Sequence, residues 1–251
     1  MTFNLRYDHP GDSFNRWTRR RESVVRLLKE YAPQVVGCQE VTPGQRSYLE
    51  AELGEQYACV GVGRDSGGGG EQSLLLYRTD CLELLDWRTY WLSEHPDEPG
   101  SRGWDAALPR TCTMARLRGA EGTLLVFNAH LDHRGVRSRS QAVSLLLRML
   151  GEHSQPGEAR IVLGDFNALE KEHSVRMLRE QMQDAYRQIT PRGGGGTFHA
   201  FLGPLFPVSL RVDYIFVDRA AQVLESEVVR RRGSHGGYPS DHYPLRARIR
   251  W

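Results

Sequence analysis

Three short segments constrain this chain most: GDFN at 164–167, RVDYIF at 211–216 and SDH at 240–242. Each sets an acid, an amide or an imidazole at the end of an apolar run or inside one. Burying such a group alone is costly. A fold that buries the runs must therefore give each group a paired charge, a metal or a substrate. The runs themselves, such as IVLG at 161–164, are of strand length.

The rest of the chain supplies strands and helices in mixed order. Residues 2–7 read as a strand. Residues 18–31 read as a helix with Val24, Val25, Leu27, Leu28 and Tyr31 on its apolar stripe and Thr18 as N-cap. Pro33 stops that helix, VVGCQE at 35–40 is a short buried strand, and Pro43 opens a second helix to about Leu53. Strands follow at 57–63, 73–78 and 84–92, then a loop rich in Pro, Gly and acid at 93–109. TCTMARL at 111–117 and TLLVFNAHL at 123–131 pair as a hairpin through 119–122. A helix at 138–150 leads into the strand IVLGDFN, another helix spans about 173–182, and the last strands lie near 212–217, 222–230 and 244–250. Gly67–Gly70 and Gly193–Gly196 are flexible loops. No linker interrupts the 251 residues, so one domain, 1–251, is expected. Too many strands lack a crossover helix for one doubly wound sheet, and two packed mixed sheets with helices outside fit better.

Composition removes several classes. Lys plus Arg number 33 against 31 Asp plus Glu, and a net charge of +2 makes no case for a strongly basic nucleic-acid binder. Arginine clusters at 19–21 and 230–232 read as solvated surface. Cys38, Cys59, Cys81 and Cys112 lie far apart without a CxxC pair, which argues against a cysteine zinc site or a disulfide framework. Free thiols in a reducing cytoplasm are the simpler reading. MTFNLRYDHPGD shows no export signal, and no apolar run approaches the roughly 18 residues of a membrane span. A cytoplasmic monomer without an obligate protein partner is expected.

The chemistry follows from residue types. Glu40 closes VVGCQ, where a carboxylate has room only facing a cleft; it is a candidate ligand for Mg²⁺ or Mn²⁺. Asn4, between Phe3 and Leu5, needs partners once buried and can orient a phosphate oxygen or a metal-bound carboxylate. Asp165 and Asn167 share one face of an extended segment and can hold an attacking water and a phosphoryl oxygen together. Asp213 interrupts an apolar strand, and His242 is its natural partner. In that pair Asp213 fixes the tautomer, His242 acts on the water or steadies the phosphorus, and Asp241 serves as a metal ligand; Asp165 and Asn4 are further candidates to hold the ion with Glu40. His130 ends LLVFNAH as a phosphate-side donor; with His133 it could instead bind Zn²⁺, but the oxygen-rich company favours Mg²⁺ or Mn²⁺. Arg110 can hold a phosphate through its planar fork, and Trp104 can stack on a base or sugar. One ion is the default, and two can be accommodated. Neither GxSxG nor GxxxxGK[ST] occurs. The inventory fits metal-assisted phosphoryl transfer to water.

Taken in order, MTFNLRY, QE, NAHLDH, GDFN, RVDYIF and SDHYP resemble the endonuclease/exonuclease/phosphatase superfamily. These are the Mg²⁺-dependent phosphoesterases similar to exonuclease III and DNase I, with inositol polyphosphate 5-phosphatases, neutral sphingomyelinases and CCR4/nocturnin-type deadenylases among the relatives. The resemblance covers nearly the whole length. It implies a four-layer α/β/β/α sandwich with the site at one end of the two sheets. It also implies roles: the family's early asparagine falls on Asn4, its metal glutamate on Glu40 and its GD[FL]N pair on Asp165 and Asn167. The aspartate–histidine pair falls on Asp213 and His242, the closing aspartate on Asp241, and the histidine of the phosphatase and sphingomyelinase branches on His130. NAHLDHRG stands where nucleases similar to exonuclease III carry a tyrosine region, which points away from DNA repair. NLRYD, RGWDAALPRTCT and HLDHRG resemble a bacterial subgroup of metal-dependent hydrolases.

The expected activity is hydrolysis of a phosphomonoester or phosphodiester by activated water. A small molecule or lipid head group is the preferred substrate, on the strength of His130, the near-neutral charge and the rim loops. The alternative is a nuclease on DNA or RNA, with Arg134, Arg137, Arg139 and 230–232 along a phosphate track. An inactive binding protein on this fold would be expected to lack one of Glu40, Asp165, Asp213 or His242, and all four are present.

Overall fold

The computed structural model describes residues 1–233 and 236–251. The chain begins with β1 (Thr2–Asn4), a 3-10 turn (Pro10–Asn15), α1 (Trp17–Tyr31), β2 (Val35–Val41), α2 (Pro43–Leu53), β3 (Tyr57–Val60), β4 (Gln72–Arg78) and β5 (Glu83–Trp91). The hairpin β6 (Thr111–Gly119) and β7 (Gly122–His130) leads to α3 (Val136–His153), β8 (Ala159–Asp165), α4 (His173–Gln181), β9 (Gln183–Asp184) and α5 (Ala185–Ile189). A second 3-10 turn (Gly203–Leu205) precedes β10 (Asp213–Val217), β11 (Gln222–Val228) and β12 (Leu245–Arg250).

The strands form two six-stranded mixed sheets, ordered β11-β12-β1-β2-β4-β3 and β5-β6-β7-β8-β10-β9. Side-chain alternation builds the layers. In β4, Leu75 and Tyr77 face the space between the sheets, while Leu74 and Leu76 pack with Val24, Leu28 and Leu49 of α1 and α2. In β10, Ile215 and Val217 point between the sheets, and Tyr214 and Phe216 point toward α3 and α4. Strands buried on both faces explain the near-continuous apolar runs. The result is helices, sheet, sheet, helices, as the resemblance implies.

One glycine sets how closely the two sheets approach, and another how closely two strands of the second sheet lie. A Cβ on Gly37 would lie 2.0 Å from Leu163 Cδ1, across the two sheets. A Cβ on Gly164 (φ +146°) would lie 1.9 Å from the Ala129 carbonyl oxygen. Beside Gly37, Gln39 Nε2 donates to Asn128 Oδ1 at 2.7 Å, tying the sheets together two residues before His130.

Several boundaries differ from the sequence expectation. The first strand stops at Asn4 rather than 7, because Arg6 takes φ +54° and its N–H donates to Asn4 Oδ1 at 2.9 Å. Thr18 is not the N-cap: α1 already begins at Trp17, whose N–H donates to Asp8 Oδ1 at 3.2 Å. The strand at 57–63 ends at Val60, before Gly61 at φ +140°. The long helix starts two residues early, at Val136, because Asp105 accepts from Ser138 N at 2.6 Å and Arg137 N at 3.3 Å. β9 and α5 were not expected. Cys81 lies in the turn between β4 and β5. Arg20 is not solvated: it is buried and donates to the carbonyls of Leu5, Arg6 and Pro239.

Candidate active site

Strand register assembles the site. In the parallel β7–β8 pair His130 stands opposite Asp165, and in the antiparallel β8–β10 pair Asp165 stands opposite Asp213. One row across the second sheet therefore carries an imidazole and two carboxylates at the ends of three adjacent strands. The first sheet brings Asn4 and Glu40 to the same end. Asn4 Nδ2 donates to Asp165 Oδ2 at 2.9 Å and to Glu40 Oε1 at 3.1 Å, so one amide joins the two sheets. Glu40 Oε2 also accepts from Tyr7 N at 3.1 Å.

The local backbone is strained where these groups turn inward. Glu40 has φ +60°, at an irregularity in the β2–β4 ladder, and Asn167 has φ +46°. Left-handed conformations in non-glycine residues cluster at functional sites. Asn167 N donates to Asp165 Oδ1 at 2.9 Å, and its Nδ2 reaches His130 Nε2 at 3.1 Å.

The last segment completes the group. His242 Nδ1 lies 2.8 Å from Asp213 Oδ2, and its Nε2 lies 3.9 Å from Asp165 Oδ2. The Asp165 oxygen is also 3.7 Å from His130 Nε2, so it sits between two rings. Thr197 Oγ1 accepts from Val212 N at 3.1 Å and Asp213 N at 3.2 Å, fixing the start of β10. Ser240 donates to the Asn4 carbonyl at 2.7 Å, which fastens the SDH segment to β1.

Burial and charge divide the protonation states. Burial alone would lower His242, but Asp213, Asp165 and Asp241 outweigh it and raise the ring to about 10. Burial, then the Asp213 charge, push Asp165 up to about 7. Burial also raises Asp241. His130 is held well below its usual range by burial and by Arg110, and is neutral.

The tightest set of potential ligand atoms is Asp165, Asp213 and His242, all within 4.8 Å. Asp213 and His242 are hydrogen-bonded to each other at 2.8 Å, while Asp165 stands 3.9 Å from the ring. Three carboxylates at this end, Glu40, Asp241 and Asp165, are the candidate ligands for a hard cation. Their donors are all carboxylate oxygens, and Glu40 raises Asp241 by like-charge repulsion. An oxygen-only set of this kind fits a hard cation such as Mg²⁺ or Mn²⁺.

The remaining expected residues fall as follows. Asn4 turns its amide nitrogen, not its carbonyl, toward the acids. Arg110 is buried, 3.0 Å from both His130 ring nitrogens, 2.9 Å from His133 Nδ1 and 3.4 Å from Asp132 Oδ2, so its fork is already occupied by protein groups. Trp104 packs partly against the core outside the second sheet. Sequence reasoning missed Arg6, 3.9 Å from Asp241, and Arg20, whose charge also acts on Asp241. It missed Thr197 and Ser240 as well. For Arg20, the one available signal was its place four residues before Val24, on the same face as the helix's apolar stripe.

Comparison with known proteins agrees with this geometry. The model of the endonuclease/exonuclease/phosphatase family matches residues 1–242. An endonuclease/exonuclease/phosphatase from Bacteroides vulgatus is 35% identical, with TM-score 0.91 over 99% of this chain and 97% of that one. A mannosyl-6-phosphatase from Bacteroides thetaiotaomicron is 29% identical, with TM-score 0.91 over 100% of this chain and 98% of that one. TDP2 of D. rerio, complexed with a single-strand DNA product, shares the fold at 17% identity and TM-score 0.80, over 100% of this chain and 97% of that one. No curated protein matches the sequence significantly.

Proposed function

The chain belongs to the endonuclease/exonuclease/phosphatase family of phosphoesterases, and from that premise we propose that it hydrolyses the phosphoester of a small phosphorylated molecule or head group. Family members are generally divalent-metal dependent. The observation that carries the substrate reading is that the arginines available for a nucleic-acid track are interrupted. Arg139 is buried against Glu172 at 2.7 Å, and Arg231 pairs with Glu30 at 3.3 Å. The loops at the site end also close on each other: a Cβ on Gly100 would lie 2.8 Å from Ser66 N. Likeness to a mannosyl-6-phosphatase supports the same reading.

In this mechanism Asp165 Oδ2, flanked by both imidazoles, takes the proton of the attacking water. His242, kept cationic by Asp213, faces the phosphoryl oxygens as charge builds on them. Asn167 Nδ2, 3.1 Å from both His130 Nε2 and the Leu131 carbonyl oxygen, keeps the neutral His130 ring beside Asp165. Asn4 keeps Asp165 and Glu40 in place. A divalent ion held by Glu40, Asp241 and Asp165 supplies charge neutralisation for the phosphoryl oxygens when bound.

Two tests follow. EDTA is expected to abolish activity, with Mg²⁺ or Mn²⁺ restoring it, and Glu40→Gln to raise the half-saturating metal concentration at least ~10-fold. Restoration by Zn²⁺ alone would revive the His130–His133 reading. The pH dependence follows from Asp165. Its carboxylate must be ionised to accept a proton, so kcat/KM is expected to rise with pH along a limb at or below about 7. A bound cation favours the ionised form, so more Mg²⁺ should move the limb to lower pH. A limb fixed across metal concentrations would contradict the assignment.

A further inference from the structure

One rim of the site carries an apolar projection that the mechanism above does not use. Residues 201–208, FLGPLFPV, contain no charged or hydrogen-bonding side chain. Leu205 is 83% exposed, Val208 52% and Leu202 50%. Scattered exposed apolar residues are ordinary, but a contiguous run beside a site marks a surface that meets something.

The projection is rigidly built. Ala200, Phe201 and Gly203 take φ values of +48°, +62° and +59°. Gly203 sits so close to Tyr238 that a Cβ would lie 1.9 Å from its hydroxyl, and Gly203 N donates to His199 Nδ1 at 3.3 Å. On the inner side Phe206 meets Phe198 edge-on at 5.4 Å, and Phe198 meets the His242 ring at 5.0 Å. The apolar tip is thus one ring removed from His242.

Positive charge surrounds it. Phe14, 74% exposed on the first 3-10 turn, carries the Arg19 guanidinium 5.2 Å over its ring. The next residue, Arg20, lies 5.8 Å over Phe201, so the start of α1 meets the base of the projection. Arg230 and Arg232 lie 5.4 Å over Tyr243 and Tyr238, the rings on either side of His199. Arg19, Arg230 and Arg232 are exposed and form no ion pair with a carboxylate among the described residues. Arg230 and Arg232 each donate one bond to a backbone carbonyl, of Gly196 and Gly236, and keep their charge uncompensated; apolar tips beside such arginines match a bilayer interface, where the tips enter the acyl boundary and the arginines meet lipid phosphates.

We propose that the 201–208 projection, with Phe14, Arg19, Arg230 and Arg232, docks the enzyme on an anionic phospholipid surface and so presents phosphorylated head groups to His242 and Asp165. The substrate half of this statement rests on the phosphoesterase reading, whereas docking itself needs no hydrolysis. Co-sedimentation with vesicles of phosphatidylcholine alone, and of phosphatidylcholine mixed with phosphatidylglycerol, tests it on the wild-type chain. Binding is expected to the mixed vesicles, to weaken with salt, and to fall at least ~10-fold in Leu205→Asp and in Arg19→Glu/Arg232→Glu. Leu205→Asp should hydrolyse a water-soluble phosphoester at the wild-type rate. In Leu205→Trp, tryptophan emission should shift to shorter wavelength on adding the mixed vesicles. No vesicle binding by the wild type, or undiminished binding by Leu205→Asp, would overturn the proposal and leave the phosphoesterase reading intact. So would self-association of the wild type that Leu205→Asp abolishes, which would make the projection a contact between copies.

Discussion

Asp165→Asn and His242→Ala are each expected to lower kcat by at least ~10²-fold, the scale of a positioned proton-transfer or charge-stabilising group. Asparagine matches aspartate in shape, but its single carbonyl oxygen keeps only one of the two bonds that Asp165 accepts, from Asn4 Nδ2 or from Asn167 N, and it cannot take a proton from water. Stability should not fall with it. Asp165 is pushed up to about 7 by burial and by Asp213, so removing its charge relieves repulsion. A variant that melts no lower than wild type yet barely turns over separates the chemical role from a structural one. His242→Ala leaves Asp213 without its partner at 2.8 Å. If the two act as one unit, adding Asp213→Asn to His242→Ala should cost little further rate. Full activity in either single variant would remove that residue from the mechanism.

Gly164→Ala is expected to cost about 3 kcal/mol or more, since it combines a disallowed backbone with a clash against main chain. The new methyl would lie 1.9 Å from the Ala129 carbonyl oxygen, which belongs to the neighbouring strand and cannot rotate away. For a chain of this size that loss corresponds to a fall in Tm of roughly 6–12 °C. The same substitution at Gly67, where a Cβ meets nothing within 4 Å, should leave Tm nearly unchanged. Thermal unfolding of the two variants side by side measures the difference. Gly164 also sets the spacing between His130 and Asp165, so residual activity in Gly164→Ala should fall below what the folded fraction accounts for.

Much of this architecture was legible because burial and chemistry reinforce each other in the strands. IVLGDFN and RVDYIF are apolar where both faces are covered and polar only at the site end, so their acids stood out. His242 was found through its neighbour in sequence and its need for an acid. What stayed hidden depends on long-range placement. Asp105 accepts from the first turn of a helix more than thirty residues away, and Asp8, not Thr18, accepts from the first N–H of α1. Arg20 looked like surface because it sits in a run of three arginines, yet the carbonyls that hold it come from β1, its following turn and Pro239. Arg110 was correctly drawn toward the cleft, but no local pattern showed that His130, His133 and Asp132 would take up its fork.

The most direct test of the central claim is the initial rate of metal-stripped protein, before and after Mg²⁺ or Mn²⁺, across one substrate panel. The panel should hold sugar and inositol phosphates, a mononucleotide, a generic phosphodiester, phospholipids, and single- and double-stranded nucleic acid. The account predicts metal-restored hydrolysis with kcat/KM for a small phosphoester or head group at least ~10²-fold above that for nucleic acid. Metal-restored activity confined to nucleic acid would contradict the substrate assignment, and full activity without any divalent ion would contradict the role given to Glu40, Asp241 and Asp165.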